Sequence, residues 1–324
     1  MLFVRLPSLA ILDVVGKDAS KIANNLCTAN VETIAKNSGR EAFITDIRGK
    51  TLGHVCIYRT DVGLRLIGAG ADEPTANQSI AIAAHFDKYT LREHSIPEDR
   101  SLQLAGIVVD EALLTKLNSS IVPVAASPSS IDLFSIPFLV EIQSNETLHC
   151  HAYRVPWWSE MAVLLLVDLN QGDLLAEHLQ LIGGTEVGNE EFHRRRIENC
   201  FPWFGVDIDA NHLPQEADRD EKAISFTKGC YLGQETVARL DALGQVQKKL
   251  VRWSLLCDSQ PVVDTELKDG DRVVGRLTSV AKGQEARSYI SLGFARRSHF
   301  DSGCEAKGNT EDGKAIEARV SGPR

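Results

Sequence analysis

The chain has 324 residues, a formal net charge of −9 and 43% hydrophobic residues. This length predicts two or three domains. The acidic balance argues against direct binding of the whole protein to nucleic acid, because phosphate backbones are bound by concentrated Lys and Arg. The longest apolar run, residues 161–167, is too short to cross a bilayer and is typical of a buried strand, so no membrane segment is expected.

The N-terminus and the cysteines indicate a compartment. Pro7 and Asp13 interrupt the first apolar stretch, so we expect a strand there rather than a signal peptide. An odd, scattered set of cysteines without a C-x-x-C pair predicts no metal site and is typical of a reducing compartment, which favours the cytoplasm. The seven cysteines are Cys27, Cys56, Cys150, Cys200, Cys230, Cys257 and Cys304.

The first third of the chain predicts strands interspersed with helices. Apolar residues recur at helical spacing over 18–26, with Asp18 as the candidate N-cap. A turn is expected at Arg48-Gly49, between two strands. The further segments predicted here are strands over 41–49, 50–60 and 63–70 and a helix over 75–89.

The rest of the chain places its helices and strands in separate blocks. Three prolines within 119–138 predict a long irregular connection. Gly183-Gly184 is a good C-terminal cap for the helix before it. Short strands and turns from about residue 250 predict a small barrel, and the whole pattern predicts an α+β fold. The other segments predicted here are strands over 102–110 and 161–169 and helices over 172–184 and 189–201.

Two basic clusters are present: Arg194-Arg195-Arg196, and Lys248-Lys249 with Arg252. Consecutive residues of a helix point in different directions, so the favoured interpretation is a solvated helix face and a charged strand edge.

One stretch, residues 225–239, places Cys230 between Gly229 and Gly233, with Lys228 before it. Glycines let the chain turn tightly and approach a ligand, and a helix is expected to start near Gly233. A nearby cation and a helix N-terminus both stabilise a thiolate. A catalytic role for Cys230, assisted by Lys228, and a buried cysteine in a shaped loop remain equally open on these residues alone.

The segment "KGCYLGQE" resembles the signature of the YgfZ-type folate-binding family, a branch of the superfamily of the glycine-cleavage T-protein, an aminomethyltransferase. Flanking support comes from residues 195–217, "RRIENCFPWFGVDIDANHLPQEA", and from 11–31 near the N-terminus. The resemblance extends over nearly the whole chain. It implies a three-lobed T-protein-like architecture: an N-terminal α+β lobe over 1–105, a second over 106–245 and a barrel over 246–324.

The resemblance implies tetrahydrofolate, or a one-carbon derivative of it, as the cofactor. Glu198 falls on the superfamily position whose glutamate holds the pterin, whose amino group and ring N–H form a donor pair for a carboxylate. Trp203 and Tyr231 would contact rings, and Gln234 and Glu235 complete the signature on the folate side. A last cofactor-binding candidate is Arg239, which would meet the glutamate tail; an ion pair with Glu235 at i, i+4 is the slightly favoured interpretation.

Two departures from true T-proteins matter. Gly68 stands where an Asn is expected, and Asp72 is the candidate substitute for the catalytic aspartate; the missing Asn disfavours aminomethyl transfer. T-proteins carry Asp-Phe at positions 230 and 231, where this chain has Cys-Tyr. The leading hypothesis is a folate-dependent auxiliary factor for iron–sulfur client enzymes, linked to tRNA modification. A folate-dependent aminomethyltransferase or demethylase, and a folate-binding module without chemistry, are the alternatives.

Overall fold

The computed structural model describes residues 1–71, 73–117, 133–141, 147–159, 162–244 and 246–322. Asp72 lies outside this set. The chain forms two compact units, which are described separately. The first comprises Met1–Pro156, Glu160–Asn189 and Glu221–Gln234, and the second comprises Trp157–Ser159, Glu190–Asp220 and Glu235–Arg324. The division into three lobes stays a prediction.

The first unit is built on one eleven-stranded sheet, in the order β11-β1-β7-β10-β9-β8-β3-β4-β5-β2-β6. All of its described strand pairs are antiparallel except β1 with β11. Its strands are β1 Leu2–Leu6, β2 Leu9–Val15, β3 Ser38–Thr45, β4 Thr51–Arg59, β5 Gly63–Ala69, β6 Ile96–Asp99, β7 Leu104–Val109, β8 Leu133–Glu141, β9 Thr147–Arg154, β10 Val163–Asp168 and β11 Thr185–Glu186.

Helices supply the apolar cover of this sheet in two separate cores. The first core packs α1 and α2 against β2–β5, and the second packs α3 and α4 against β7, β9 and β10. The helices that lie mainly in this unit are α1 Ala19–Leu26, α2 Gln78–Tyr89, α3 Glu111–Leu117, α4 Gly172–Leu181 and the short α6 Asp220–Ala223.

Most elements predicted for this unit are confirmed, with three differences. The Asp18 side chain makes no cap bond and instead accepts from the His94 N–H at 2.8 Å. The second helix begins at Gln78 rather than at 75, because Asn77 caps it by accepting from the Ser79 N–H. Residues 133–138 belong to β8, so the predicted irregular connection is wrong there; the rest of that segment, 119–132, lies outside the described residues.

The second unit contains a closed barrel in the order β12-β15-β14-β13-β16-β17, which confirms the barrel predicted from residue 250. Two longer helices precede it in the chain. The elements that lie mainly in this unit are α5 Asn189–Glu198, α7 Gln234–Leu243, β12 Lys248–Leu256, β13 Glu266–Asp269, β14 Arg272–Lys282, β15 Ser288–Arg296, β16 Glu305–Asn309 and β17 Ala315–Ser321. Within the described residues no helix has the length and apolar character of a membrane span.

Candidate functional site

The cysteine loop, residues 228–233, is anchored at its start by a buried lysine. The Lys228 ammonium donates to the backbone carbonyls of Asn24, Cys27 and Ala29, at 2.6, 2.9 and 2.6 Å. Carbonyls at a helix C-terminus lack intrahelical partners, so a cation beyond α1 satisfies them and complements the helix dipole. Burial lowers the pKa of Lys228.

These contacts give Lys228 a different setting from the one predicted. Its three N–H groups point at carbonyls, and its Nζ lies 5.0 Å from the centre of the Tyr231 ring. The Lys228 charge acts instead on the Cys27 thiol. Burial raises the pKa of that thiol, and the lysine charge partly offsets the increase. Lys228 is therefore a structural anchor of the loop, and its role in activating Cys230 stays a prediction.

The far end of the cysteine loop is fixed against the β3–β4 hairpin. Thr45 Oγ1 donates to the Leu232 carbonyl at 2.7 Å, and the Leu232 N–H donates to the Asn25 carbonyl at 2.9 Å. Gly233 has φ of +82°, and a Cβ there would lie 2.4 Å from the Asp46 carbonyl oxygen. A larger residue at 233 would therefore displace the hairpin.

No comparable steric contact requires a glycine at position 229. A Cβ at this position would meet nothing within 4 Å, and its backbone is not in the left-handed region. The tight turn expected at the two glycines is therefore confirmed at Gly233, whereas neither the backbone nor the surrounding atoms require a glycine at position 229. Open space beside Gly229 leaves the backbone next to Cys230 accessible.

Cys230 is exposed, whereas the other six cysteines, all of them in the described residues, are buried or half-buried. It lies at the rim of an apolar cavity of about 340 Å³ between the cysteine loop, α1 and the end of α2. The cavity is lined by Ile22, Asn25, Leu26, Tyr89, Cys230, Tyr231 and Leu232. Cys230 and its neighbour Tyr231 thus both line a space of largely apolar character.

The remaining signature residues differ in exposure. Tyr231 is buried, which raises the pKa of its hydroxyl, and its N–H donates to Gln234 Oε1 at 3.4 Å. Glu235 and Arg239, on α7, are exposed. None of the ion pairs in the described structure joins these two side chains, so the i, i+4 pair favoured from the sequence is wrong. Arg239 is left as a free surface cation.

Glu198 is the last residue of α5, and both its backbone and its side chain are held. Its carbonyl accepts from Arg252 Nη1 at 2.7 Å. Its carboxylate Oε1 accepts from Arg194 Nη1 at 2.5 Å, and the side chain remains 38% exposed. Among the described contacts, Oε2 of Glu198 has no partner. The carboxylate therefore keeps an oxygen for a ligand donor, although pterin contact itself stays a prediction.

Trp203 packs inside an aromatic cluster. Its ring meets those of Trp157 and Phe192 edge-on, with centroids 5.3 and 5.1 Å apart. The side chain is buried, so it stabilises the segment after α5, and its contact with a folate ring stays a prediction.

The sequence did not predict a buried ion pair that is made on α5 by Arg196, two residues before Glu198. Arg196 and Asp207 are fully buried, and Arg196 Nη1 donates to Asp207 Oδ2 at 2.6 Å. A β-bulge in β14 directs Thr278 and Ser279 to the same carboxylate, each donating at 2.5 Å. The solvated interpretation of the arginine run is therefore wrong for Arg196. The available signal was Phe192, four residues earlier on the buried helix face.

The second basic cluster is also engaged by the protein. Lys248 and Lys249 lie 3.7 and 2.9 Å from the carboxylates of Glu216 and Asp218. Arg252 is buried and donates to the Glu198 carbonyl. The predicted charged strand edge thus includes an arginine that stabilises the end of α5.

Known proteins resemble this chain in sequence and in fold. No family model matches it. It is 25% identical over 313 residues to a protein named tRNA-modifying protein YgfZ from Hamiltonella defensa subsp. Acyrthosiphon pisum (strain 5AT), which covers 94% of this chain and 86% of the relative. The protein of the same name from Escherichia coli (strain K12 / DH10B) is 24% identical over 295 residues, 87% of this chain and 82% of that one.

A solved structure supports the same relationship at the level of fold. Glycine cleavage system aminomethyltransferase T from Bartonella henselae matches with a TM-score of 0.76 at 16% identity, over 98% of this chain and 84% of that one. This match, together with the mixed sheet and the closed barrel, confirms the predicted T-protein-like fold class. The resemblance of the sequence to the YgfZ-type family, on the fold of the glycine-cleavage T-protein, is therefore confirmed.

Proposed function

We propose that the chain is a cytoplasmic, reduced-folate-binding auxiliary protein for iron–sulfur enzymes that modify tRNA, with Cys230 as its reactive group. The printed names of the relatives supply the link to tRNA modification. The YgfZ-type resemblance supplies the folate and the iron–sulfur clients, since members of that family are tied to radical enzymes of tRNA methylthiolation.

The observation that carries this proposal is the setting of Cys230. It is the exposed thiol among the seven cysteines, all of which are described. The cysteine loop is fixed on both sides of it, by Lys228 and by Leu232. A surface thiol on a fixed loop beside an apolar cavity suits reaction with a partner molecule better than it suits core packing.

The chemistry of a single thiolate limits what Cys230 does. Iron–sulfur clusters in proteins are held by about four ligands. Cys230 therefore acts on a cluster or its sulfur only together with ligands that a client protein or a small thiol supplies. Direct nucleic-acid binding is not part of the proposal, because the net charge is −9.

Folate binding rests on Glu198 and on the polar residues after the cysteine loop. The half-exposed Glu198 carboxylate, with an oxygen free of described contacts, fits the neutral donor pair of a pterin. Arg239, exposed and without an ion pair among the described residues, suits the carboxylates of the glutamate tail. Within the second unit we assign Trp203 to the same ligand as a ring contact and Glu235 as a polar contact. For Tyr231 and Gln234, which belong to the first unit, the folate role rests on the family resemblance alone.

The alternative function is aminomethyl transfer or demethylation, which the shared fold with aminomethyltransferase T favours. One observation weighs against it. Gly68 occupies the position where the T-protein pattern has Asn, and a Cβ there would lie 2.6 Å from the His54 carbonyl oxygen and 2.7 Å from Gln78 Nε2. Because backbone cannot move aside cheaply, an asparagine at 68 would require β4 to shift.

The proposal is tested with Cys230→Ala, measured separately for folate binding and for function. The functional assay is methylthio modification of tRNA, by mass spectrometry, in bacteria whose YgfZ relative has been replaced by this chain. The variant is expected to bind 5-formyltetrahydrofolate like the wild type and to fail in tRNA modification. Cys304→Ala, a half-buried cysteine of the barrel, is the matched control.

Full modification by Cys230→Ala would reject the reactive-cysteine function. Turnover of an aminomethyl donor by the purified wild type would favour the alternative enzyme. Folate binding with neither activity would leave a folate-binding module.

A further inference from the structure

An ion-pair chain on α5, made by Glu191, Arg194 and Glu198, fixes the side chain of Glu198. Arg194 Nε and Nη2 donate to the two oxygens of Glu191, both at 2.7 Å. Its third nitrogen, Nη1, donates to Glu198 Oε1 at 2.5 Å. A guanidinium bound at two points has a defined plane, so its remaining N–H holds Glu198 in a defined direction.

Glu191 is itself held by a second arginine. Arg195 Nε donates to Glu191 Oε1 at 2.7 Å, and the Arg195 guanidinium lies 5.1 Å from the Trp158 ring centre. Hydrogen bonds from Arg194 lower the pKa of Glu191 to about 2, and those bonds raise the pKa of Arg194. Both groups are thus charged at any working pH of the protein.

The geometry points to Arg194, oriented by Glu191, as a positioning residue for Glu198 in folate binding. This inference rests on the proposed function. The Glu198 backbone is fixed by Arg252 and one carboxylate oxygen by Arg194, which leaves Oε2 and the second lone pair of Oε1 for the donor pair of the ligand.

The free acceptor positions of Glu198 fit a ligand that presents two N–H donors side by side. A pterin presents its amino group and its ring N–H in this way.

The experiment compares the affinities of four proteins for 5-formyltetrahydrofolate: wild type, Arg194→Met, Arg194→Lys and Arg195→Met. Freeing one side chain that binding must then immobilise weakens affinity by roughly three- to tenfold, so this loss is expected for Arg194→Met. Arg194→Lys should recover part of it. Arg195→Met removes the same charge from the same helix and one bond to Glu191, but it leaves the bonds of Arg194 to Glu191 and Glu198 in place, so its loss of affinity should be clearly smaller than that of Arg194→Met.

A double-mutant cycle separates positioning from a merely structural role. In the Glu198→Gln background, Arg194→Met should cause little further loss, because its effect passes through the missing carboxylate. Additive losses, unchanged affinity or tighter binding by Arg194→Met would each overturn the inference. If the wild type binds no reduced folate, the proposed function fails. If the wild type binds reduced folate and the Arg194 variants bind it with the same affinity, this inference alone fails.

Discussion

Asp207→Asn should strongly destabilise the second unit. The Asp207 carboxylate is completely buried and accepts from Arg196, Thr278, Ser279 and the Trp203 N–H. An amide presents a donor to partners that are themselves donors, and it leaves the Arg196 guanidinium without its counter-charge. Breaking a buried ion pair in this way costs about 3–5 kcal/mol, which corresponds to a decrease in Tm of roughly 10–20 °C.

The assay is urea unfolding followed by tryptophan fluorescence. All four tryptophans of the chain belong to the second unit, so the signal reports that unit. Asp209→Asn is the matched control, since that carboxyl is 51% exposed and pairs with His212 at the surface; its cost should stay within about 1 kcal/mol. A decrease in the free energy of unfolding below about 1 kcal/mol for Asp207→Asn would refute the claim that the buried Arg196–Asp207 ion pair stabilises this unit.

Three further predictions concern the cysteine loop. Lys228→Met should lower the free energy of unfolding by about 2–4 kcal/mol, because three carbonyls lose a charged donor. Equal stability of this variant and of Lys17→Met, a change at an exposed lysine, would contradict the anchoring role of Lys228. Gly233→Ala should destabilise the native protein and Gly229→Ala should not, measured by thermal unfolding; equal effects would contradict the contacts of Gly233. In limited alkylation, Cys230 should be labelled fastest of the seven thiols, because burial raises the pKa of Cys27, Cys150, Cys200 and Cys257; slower labelling of its peptide would reject the reactive thiol.

Local signals in the sequence predict much of the fold. Helix α4 ends at Leu181, just before the glycine pair that predicts its end, with the Gly183 N–H bonded to the Gln180 carbonyl and the Gly184 N–H to that of Leu179. The β3–β4 hairpin and α7 also follow from residues close in the chain. Such features depend on turn chemistry and on helical spacing, which a short window of sequence contains.

Features that depend on distant residues could not be predicted. Lys228 is anchored by carbonyls about 200 positions away, and Arg196 is buried by a bulge more than 80 positions later. A window around either residue shows only a charged side chain. The same holds for residues 133–138, whose place in β8 depends on pairing with β3 and β9 and overrides the local proline.

The candidate site likewise contains residues that the sequence identifies and contacts that it does not predict. The signature segment identifies Cys230 and Gly233, and the structure gives each a physical setting. The contacts that orient Glu198, from Arg194 and Arg252, were not predicted. Arg194 is near in sequence but was hidden in an arginine run, whereas Arg252 reaches α5 from the barrel.

The central claim is that the chain binds a reduced folate through Glu198. The most direct measurement is a calorimetric titration of 5-formyltetrahydrofolate into the wild type and into Glu198→Gln, with thermal unfolding as the check on folding. Losing a hydrogen bond to a charged acceptor costs about 1.5–3 kcal/mol, so the affinity of the variant should fall by roughly one to two decades at unchanged Tm. Equal affinity of the two proteins, or no binding by the wild type, would contradict the claim.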